Sequence, residues 1–135
     1  MDTAIPARFG PIARSSPLLD ALGGFCSCGQ GKALEIGLLV GDRHVNGRGL
    51  LHGGVTATLC DIGLGYLVGS AVETPQKLVT TSLSLDYLAP ASIGEWVEVK
   101  VDSTDATGRL VFATGHAEVG DRIIARARAV FARTG

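Results

Sequence analysis

The chain has 135 residues, a formal net charge of −1 and a hydrophobic content of 46%, which together indicate one domain with a modest core. Lysine and arginine are spread along the chain without a basic run, which argues against nucleic-acid binding and against polybasic membrane attachment. The N-terminal segment lacks the charged start and apolar run of a signal peptide, so we expect a cytoplasmic protein.

The first part of the chain predicts a short helix and one strand. Ser16 can cap a helix that begins at Pro17, so we expect this helix over about residues 16–23. Alternating side chains over residues 32–40 predict a strand. The glycine-containing segment 44–51 predicts irregular chain that leads into the next element.

A long central helix is predicted over about residues 53–71, where apolar side chains recur at helical spacing on more than one side. A helix that is apolar all round is buried either in a core or in a membrane. Its several glycines, and the strand patterns in the rest of the chain, argue against a membrane span. We therefore expect a buried helix around which other elements wrap.

Four strand signals follow the central helix, over residues 77–88, 96–101, 109–119 and 122–133. The short connections between them require antiparallel pairing. The order of elements therefore predicts an α+β fold, in which a curved antiparallel sheet of five to six strands wraps around one long helix. We expect this single domain to span residues 1–135.

Cysteine and histidine spacing does not predict a metal site. Three cysteines are an odd number, which argues against a disulfide framework. Cys26 and Cys28 could begin a zinc site, but no second Cys or His pair occurs at ligand spacing. We therefore expect neither a metal nor another cofactor.

One charged residue interrupts the apolar helix. Asp61 is the only formal charge between Arg48 and Glu73, and no lysine or arginine lies one helical turn away. A carboxylate in an apolar setting is costly unless it is paired or hydrogen-bonded. Two interpretations stay open, namely a structural carboxylate satisfied by backbone donors or a distant arginine, and a reactive base or nucleophile.

The start of the same helix is a second candidate feature. Gly53 and Gly54 place backbone N–H groups at the positive end of the helix dipole, as an oxyanion hole requires. With Thr58, Gly54 also forms a small surface that a substrate could approach closely.

The separation of these two features predicts a shared site. Gly53 and Asp61 lie about 12 Å apart along an ideal helix, and an aspartate side chain is too short to close that gap. If both are catalytic, Asp61 must meet the glycine turn of a second copy. Each subunit of an isologous pair would then contribute half of each of two sites.

The chain also contains a recognisable pattern in this region. Residues 46–54 read NGRGLLHGG, Asp61 follows on the same helix, and residues 86–91 read DYLAPA. Together these segments resemble the HGG signature and a strand end of PaaI-like thioesterases of the hot-dog fold, over about residues 35–133. The resemblance implies a hot-dog fold, an acyl-CoA thioesterase activity, and a homo-oligomer. Dimer and tetramer both stay open from the sequence, although the family favours a dimer of dimers, or homotetramer.

The resemblance also implies a role for each matching residue. Asn46 and His52 would help to hold the thioester carbonyl and to shape the turn, although either could be a purely structural turn residue. The N–H of Gly53 would bind the developing oxyanion. Asp61 of the partner subunit would act as general base or as nucleophile.

A hydroxyl on the strand after the helix positions the water in members of this family, and here it corresponds to Thr80. Thr81 is the competing residue. Simple alternation places Thr80 on the face opposite Leu83, so aiming its hydroxyl at the site requires a bulge or a strand end.

Two other functions remain open from the sequence. One is an acyl-thioester hydratase or dehydratase that pairs His52 with Asp61, and the other is a non-catalytic acyl-CoA-binding module. Release of free thiol separates both from a thioesterase. Aromatic and medium-chain acyl groups both fit an apolar pocket, so the sequence leaves the acyl group open.

Overall fold

The computed structural model describes residues 5–71 and 77–134. The elements in chain order are β1 (Gly10–Pro11), α1 (Pro17–Leu22), β2 (Phe25–Cys28), β3 (Glu35–Leu39), α2 (Gly53–Ser70), β4 (Lys77–Tyr87), β5 (Trp96–Asp105), β6 (Leu110–Val119) and β7 (Arg122–Thr134). Two short 3-10 turns occupy Gly31–Ala33 and Asp42–His44. The expected order of helix, strand, long helix and four strands is confirmed.

The strands form one antiparallel sheet in the order β1-β2-β3-β5-β6-β7-β4. It has seven strands rather than the expected five to six, because β1 and β2 are too short to show a period of two in the sequence. Among the described strands, β4 lies at one edge and pairs only with β7.

Helix α2 packs on one face of this sheet and supplies the centre of the core. Its side chains Leu59, Cys60 and Leu64 are fully buried. The close approach requires glycine at Gly115, because a Cβ there would lie 2.3 Å from the carbonyl oxygen of Lys100 and 2.5 Å from Leu64 Cδ2. The core-facing side of β7 carries four buried apolar residues, namely Ala125, Ala127, Ala129 and Phe131.

The expectation that α2 is buried on every side is wrong for the single chain. The turn that holds Asp61, Ile62 and Gly65 is only half-buried. Because the sheet covers one side of the helix, this second side remains partly open to solvent.

The segment before α2 is held by a buried histidine. His44 accepts a hydrogen bond at Nδ1 from the Gly41 N–H at 2.8 Å, and its Nε2 lies 2.9 Å from the Leu22 carbonyl oxygen. These contacts tie the end of α1 to the chain that enters the central helix. No helix within residues 5–71 and 77–134 is long and apolar enough to cross a membrane.

Candidate active site

The loop that leads into α2 is shaped by Asn46. Its Oδ1 accepts hydrogen bonds from the backbone N–H groups of Arg48 at 2.9 Å and Leu50 at 3.2 Å. Its backbone N–H also donates to the Leu50 carbonyl oxygen at 2.8 Å. Asn46 therefore closes the turn that delivers the chain to the helix start, and its contact with a thioester stays a prediction.

His52 is the N-cap residue of α2. Its Nδ1 accepts a hydrogen bond from the Gly54 N–H at 2.8 Å. A neutral imidazole that accepts at Nδ1 carries its proton on Nε2, so the exposed ring of His52 has one N–H donor left for a substrate. The structural interpretation of His52 and a substrate contact are therefore compatible.

Gly53 supplies the one available donor at the helix start. Of the first N–H groups, that of Gly54 donates to the His52 ring, and those of Val55 and Thr56 both donate to the His52 carbonyl oxygen at 3.0 Å. Among the described residues, the Gly53 N–H has no acceptor. The predicted pair of glycine donors is thus reduced to Gly53, while Gly54 contributes space rather than a donor.

Tyr87 contacts the helix start, and no role for its side chain was predicted from the sequence. Its hydroxyl donates to the Gly53 carbonyl oxygen at 2.7 Å, from the end of β4. Its Oη would lie 3.3 Å from a Cβ built on Gly53, so the tyrosine covers the glycine closely. The available signal was strand alternation, which places Tyr87 on the same side of β4 as the helix-facing Leu83 and Leu85.

Asp61 and Thr80 form the second cluster of the site. The Thr80 hydroxyl donates to Asp61 Oδ1 at 2.7 Å. The Thr81 hydroxyl instead donates to the Val130 carbonyl oxygen at 3.0 Å. The carboxylate is therefore satisfied by a side chain from β4, which is neither of the structural partners considered from the sequence.

A β-bulge aims Thr80 at the helix. Thr80 pairs with Phe131 and Ser82 pairs with Val130, so the register shifts at this point and Thr81 is the extra residue. One extra residue reverses the alternation of a strand. Thr80 consequently lies on the same face of β4 as Leu83. This is the bulge that strand alternation in the sequence required if the Thr80 hydroxyl was to reach the site.

The other candidate residue on the helix, Thr58, is engaged locally. Its hydroxyl donates to the Gly54 carbonyl oxygen one turn earlier, at 3.0 Å. Cys60, next to Asp61, is buried in the core. Burial, together with the charge of Asp61, raises the pKa of the Cys60 thiol to about 12, so this thiol stays protonated at neutral pH.

A cavity of about 200 Å³ opens beside the Asp61–Thr80 pair. Its apolar wall consists of Ile62, Leu78 and Phe131. Two basic side chains outside the predicted site also line it, namely Arg14 and Lys77. Within residues 5–71 and 77–134, no three His, Cys, Asp or Glu side chains are grouped so that they could hold a metal ion.

The structure thus places the candidate residues in two separate clusters, each of which would be a half-site if both are catalytic. The first consists of Asn46, His52, Gly53 and Tyr87 at the start of α2. The second consists of Asp61 and Thr80, about 12 Å along the same helix. A carbonyl bound at one half-site cannot reach the other half-site of the same chain.

Comparisons with known proteins point to one family. Residues 48–123 match the sequence model of the thioesterase superfamily. A Pseudomonas aeruginosa protein named "Putative esterase PA0474" is 40% identical over 128 residues, covering 94% of this chain and 96% of that protein. Acyl-coenzyme A thioesterase 13 of Mus musculus is 32% identical over 75 residues, covering 56% of this chain and 53% of that enzyme.

Solved structures agree on the fold. The Escherichia coli PaaI protein from the phenylacetic acid degradation operon superposes with a TM-score of 0.75 at 19% sequence identity. The match covers 89% of this chain and 86% of that one. At this identity the likeness establishes the hot-dog fold.

Proposed function

Since the chain belongs to the thioesterase superfamily and is a thioester hydrolase of the hot-dog fold, we propose that its substrate is an acyl-CoA with an aromatic or medium-chain acyl group. Asp61 is the reactive carboxylate in this proposal, and the Gly53 N–H binds the oxyanion. The observation that carries it is the Asp61–Thr80 pair, a hydrogen-bonded carboxylate at the wall of a cavity.

The proposed enzyme works with a second copy of the chain. In an antiparallel pair of α2 helices, Gly53 of one subunit faces Asp61 of the partner subunit when the two-fold axis passes near Ala57. This position favours close contact because Ala57 is small and Thr58 already bonds within its own helix. The edge strand β4 offers an unpaired edge for such a contact, since among the described strands it pairs only with β7. The predicted homotetramer consists of two such dimers.

Two chemical routes use the same groups. As a general base, Asp61 removes a proton from water, hydroxide adds to the carbonyl carbon, and collapse of the tetrahedral oxyanion expels CoA thiolate, which takes the proton from Asp61. As a nucleophile, Asp61 forms a mixed anhydride with release of CoA, and water then hydrolyses it. In both routes the Gly53 N–H stabilises the oxyanion, and the Thr80 hydroxyl fixes the orientation of the carboxylate.

The test is free-thiol release from a panel of aromatic and straight-chain acyl-CoAs by wild type and Asp61→Asn. Asparagine keeps the shape and removes the charge, so we expect a loss of at least about 10²-fold in kcat. Asp121→Asn, in the exposed β6–β7 turn, is the matched control and should keep full activity.

Unchanged turnover in Asp61→Asn would refute the assignment of the carboxylate. Tight acyl-CoA binding without thiol release from any substrate would instead identify a binding module. Label in the Asp61 side chain after a single turnover in water labelled with heavy oxygen would establish the nucleophilic route, because the general-base route forms no bond between water oxygen and Asp61.

A further inference from the structure

The cavity beside Asp61 has a charged end that the proposed hydrolysis does not use. Along α2, Asp61 lies between Gly53 and Tyr66, so the cavity continues from the carboxylate away from the oxyanion donor. Arg14, from the segment between β1 and α1, lines this far end together with Lys77, the first residue of β4. Two basic groups therefore share a cavity with a single acidic one.

The position of Arg14 is fixed by an aromatic ring. Arg14 is exposed, and its guanidinium carbon lies over the Tyr66 ring, 4.4 Å from the ring centroid. This contact holds the planar group at the cavity wall while leaving its N–H edge available for a ligand.

The acidic group in the cavity does not neutralise these cations. Asp61 receives its hydrogen bond from the Thr80 hydroxyl. Among the described residues, neither Arg14 nor Lys77 has a carboxylate within ion-pair distance. Within the part of the chain that the structure describes, this end of the cavity therefore carries two cations without a paired carboxylate, an arrangement that suits an anionic ligand.

We propose, on the premise that Asp61 hydrolyses acyl-CoA thioesters, that Arg14 and Lys77 bind a carboxylate at the far end of the acyl group. Along an ideal helix, Tyr66 lies about 7.5 Å beyond Asp61. An extended dicarboxylic acyl chain of adipyl length spans a comparable distance from its thioester carbon. The apolar wall of Ile62, Leu78 and Phe131 suits the methylene groups between the two ends.

The phosphates of CoA are the other anions that the substrate carries. The long pantetheine arm holds them much farther from the thioester than Arg14 lies from Asp61. The carboxylate of the acyl group therefore fits the geometry of the cavity better than the phosphates do.

The experiment compares adipyl-CoA with hexanoyl-CoA, which has the same number of carbons and no terminal charge. We expect wild type to favour adipyl-CoA in kcat/KM by at least about tenfold, the effect of one hydrogen bond to a charged group. Arg14→Gln should remove that preference by raising KM for adipyl-CoA alone, and Arg14→Lys should keep part of it. Arg109→Gln, at an exposed position before β6, is the matched control.

Equal or greater activity on hexanoyl-CoA in wild type would overturn the carboxylate site and leave thioester hydrolysis standing. An equal loss on both substrates in Arg14→Gln would also overturn it. In that case wild type and Arg14→Gln are also compared on adipyl- and hexanoyl-pantetheine, which lack the CoA phosphates. If Arg14→Gln then matches wild type, Arg14 binds a CoA phosphate instead of the acyl carboxylate. Absence of thiol release from every thioester would refute the proposed function itself.

Discussion

Replacing Thr80 with valine removes the hydroxyl that donates to Asp61 while keeping the shape of the side chain. Hydrogen bonds to charged groups contribute about 1.5–3 kcal/mol. Thr80 is exposed in the single chain, so the lower end of that range applies. One such loss in the transition state corresponds to about a tenfold fall in kcat. Steady-state thiol release with a preferred acyl-CoA measures this effect, and Thr80→Ser should restore most of the activity.

The matched control is Thr81→Val, the adjacent residue of the same bulge. Its hydroxyl bonds to the Val130 carbonyl oxygen, so its loss should reduce the free energy of unfolding by about 1 kcal/mol and leave kcat unchanged. Thermal unfolding measured in parallel separates the two effects. Equal activity losses in the two variants, or full activity in Thr80→Val, would refute the positioning of Asp61 by Thr80.

Two further predictions concern Tyr87 and His116. Tyr87→Phe removes the hydroxyl that donates to the Gly53 carbonyl oxygen, so kcat should fall several-fold with KM nearly unchanged, and the free energy of unfolding should fall by about 1 kcal/mol, as for Thr81→Val. An equal rise in KM would show a binding role instead. On the outer face of the sheet, burial lowers the pKa of His116, but hydrogen bonds with Asp102 and Glu118 outweigh it and raise the pKa above its usual value. A raised pKa means that protonated His116 stabilises the folded state below about pH 6.5 and that this contribution is lost as the pH rises through the raised value. The stability of wild type relative to His116→Asn should therefore decline above about pH 6.5 in urea unfolding, and a difference independent of pH would contradict the ion pairs.

Most of the fold was predictable because its signals are local. The cap at Ser16, the helical spacing of α2 and the alternation of four strands each depend on neighbours in the sequence. The two short strands β1 and β2 were not predictable, because they gain their order only by pairing with β3. The deep burial expected for Asp61 was wrong for a related reason, since hydropathy does not reveal which side of a helix the sheet leaves open.

The candidate site likewise contains features that the sequence predicts and features that only the structure reveals. The loop with Asn46 and His52, the glycine turn and the lone carboxylate stand out in the sequence because their residue types are unusual in their surroundings. That Gly53 rather than Gly54 offers a free N–H is visible only in the structure, because there the His52 ring accepts the hydrogen bond of the Gly54 N–H. Likewise, the choice of Thr80 over Thr81 required the register of β4 against β7.

The sequence by itself therefore determined the order of elements, the chemical groups of the site and, from helix geometry alone, the separation of Gly53 from Asp61. Only the tertiary structure decided that Tyr87 contacts Gly53 and that Arg14 lines the cavity of Asp61. These contacts join segments far apart in the chain. They depend on how the sheet curves around α2, and no local pattern of residues encodes that curvature.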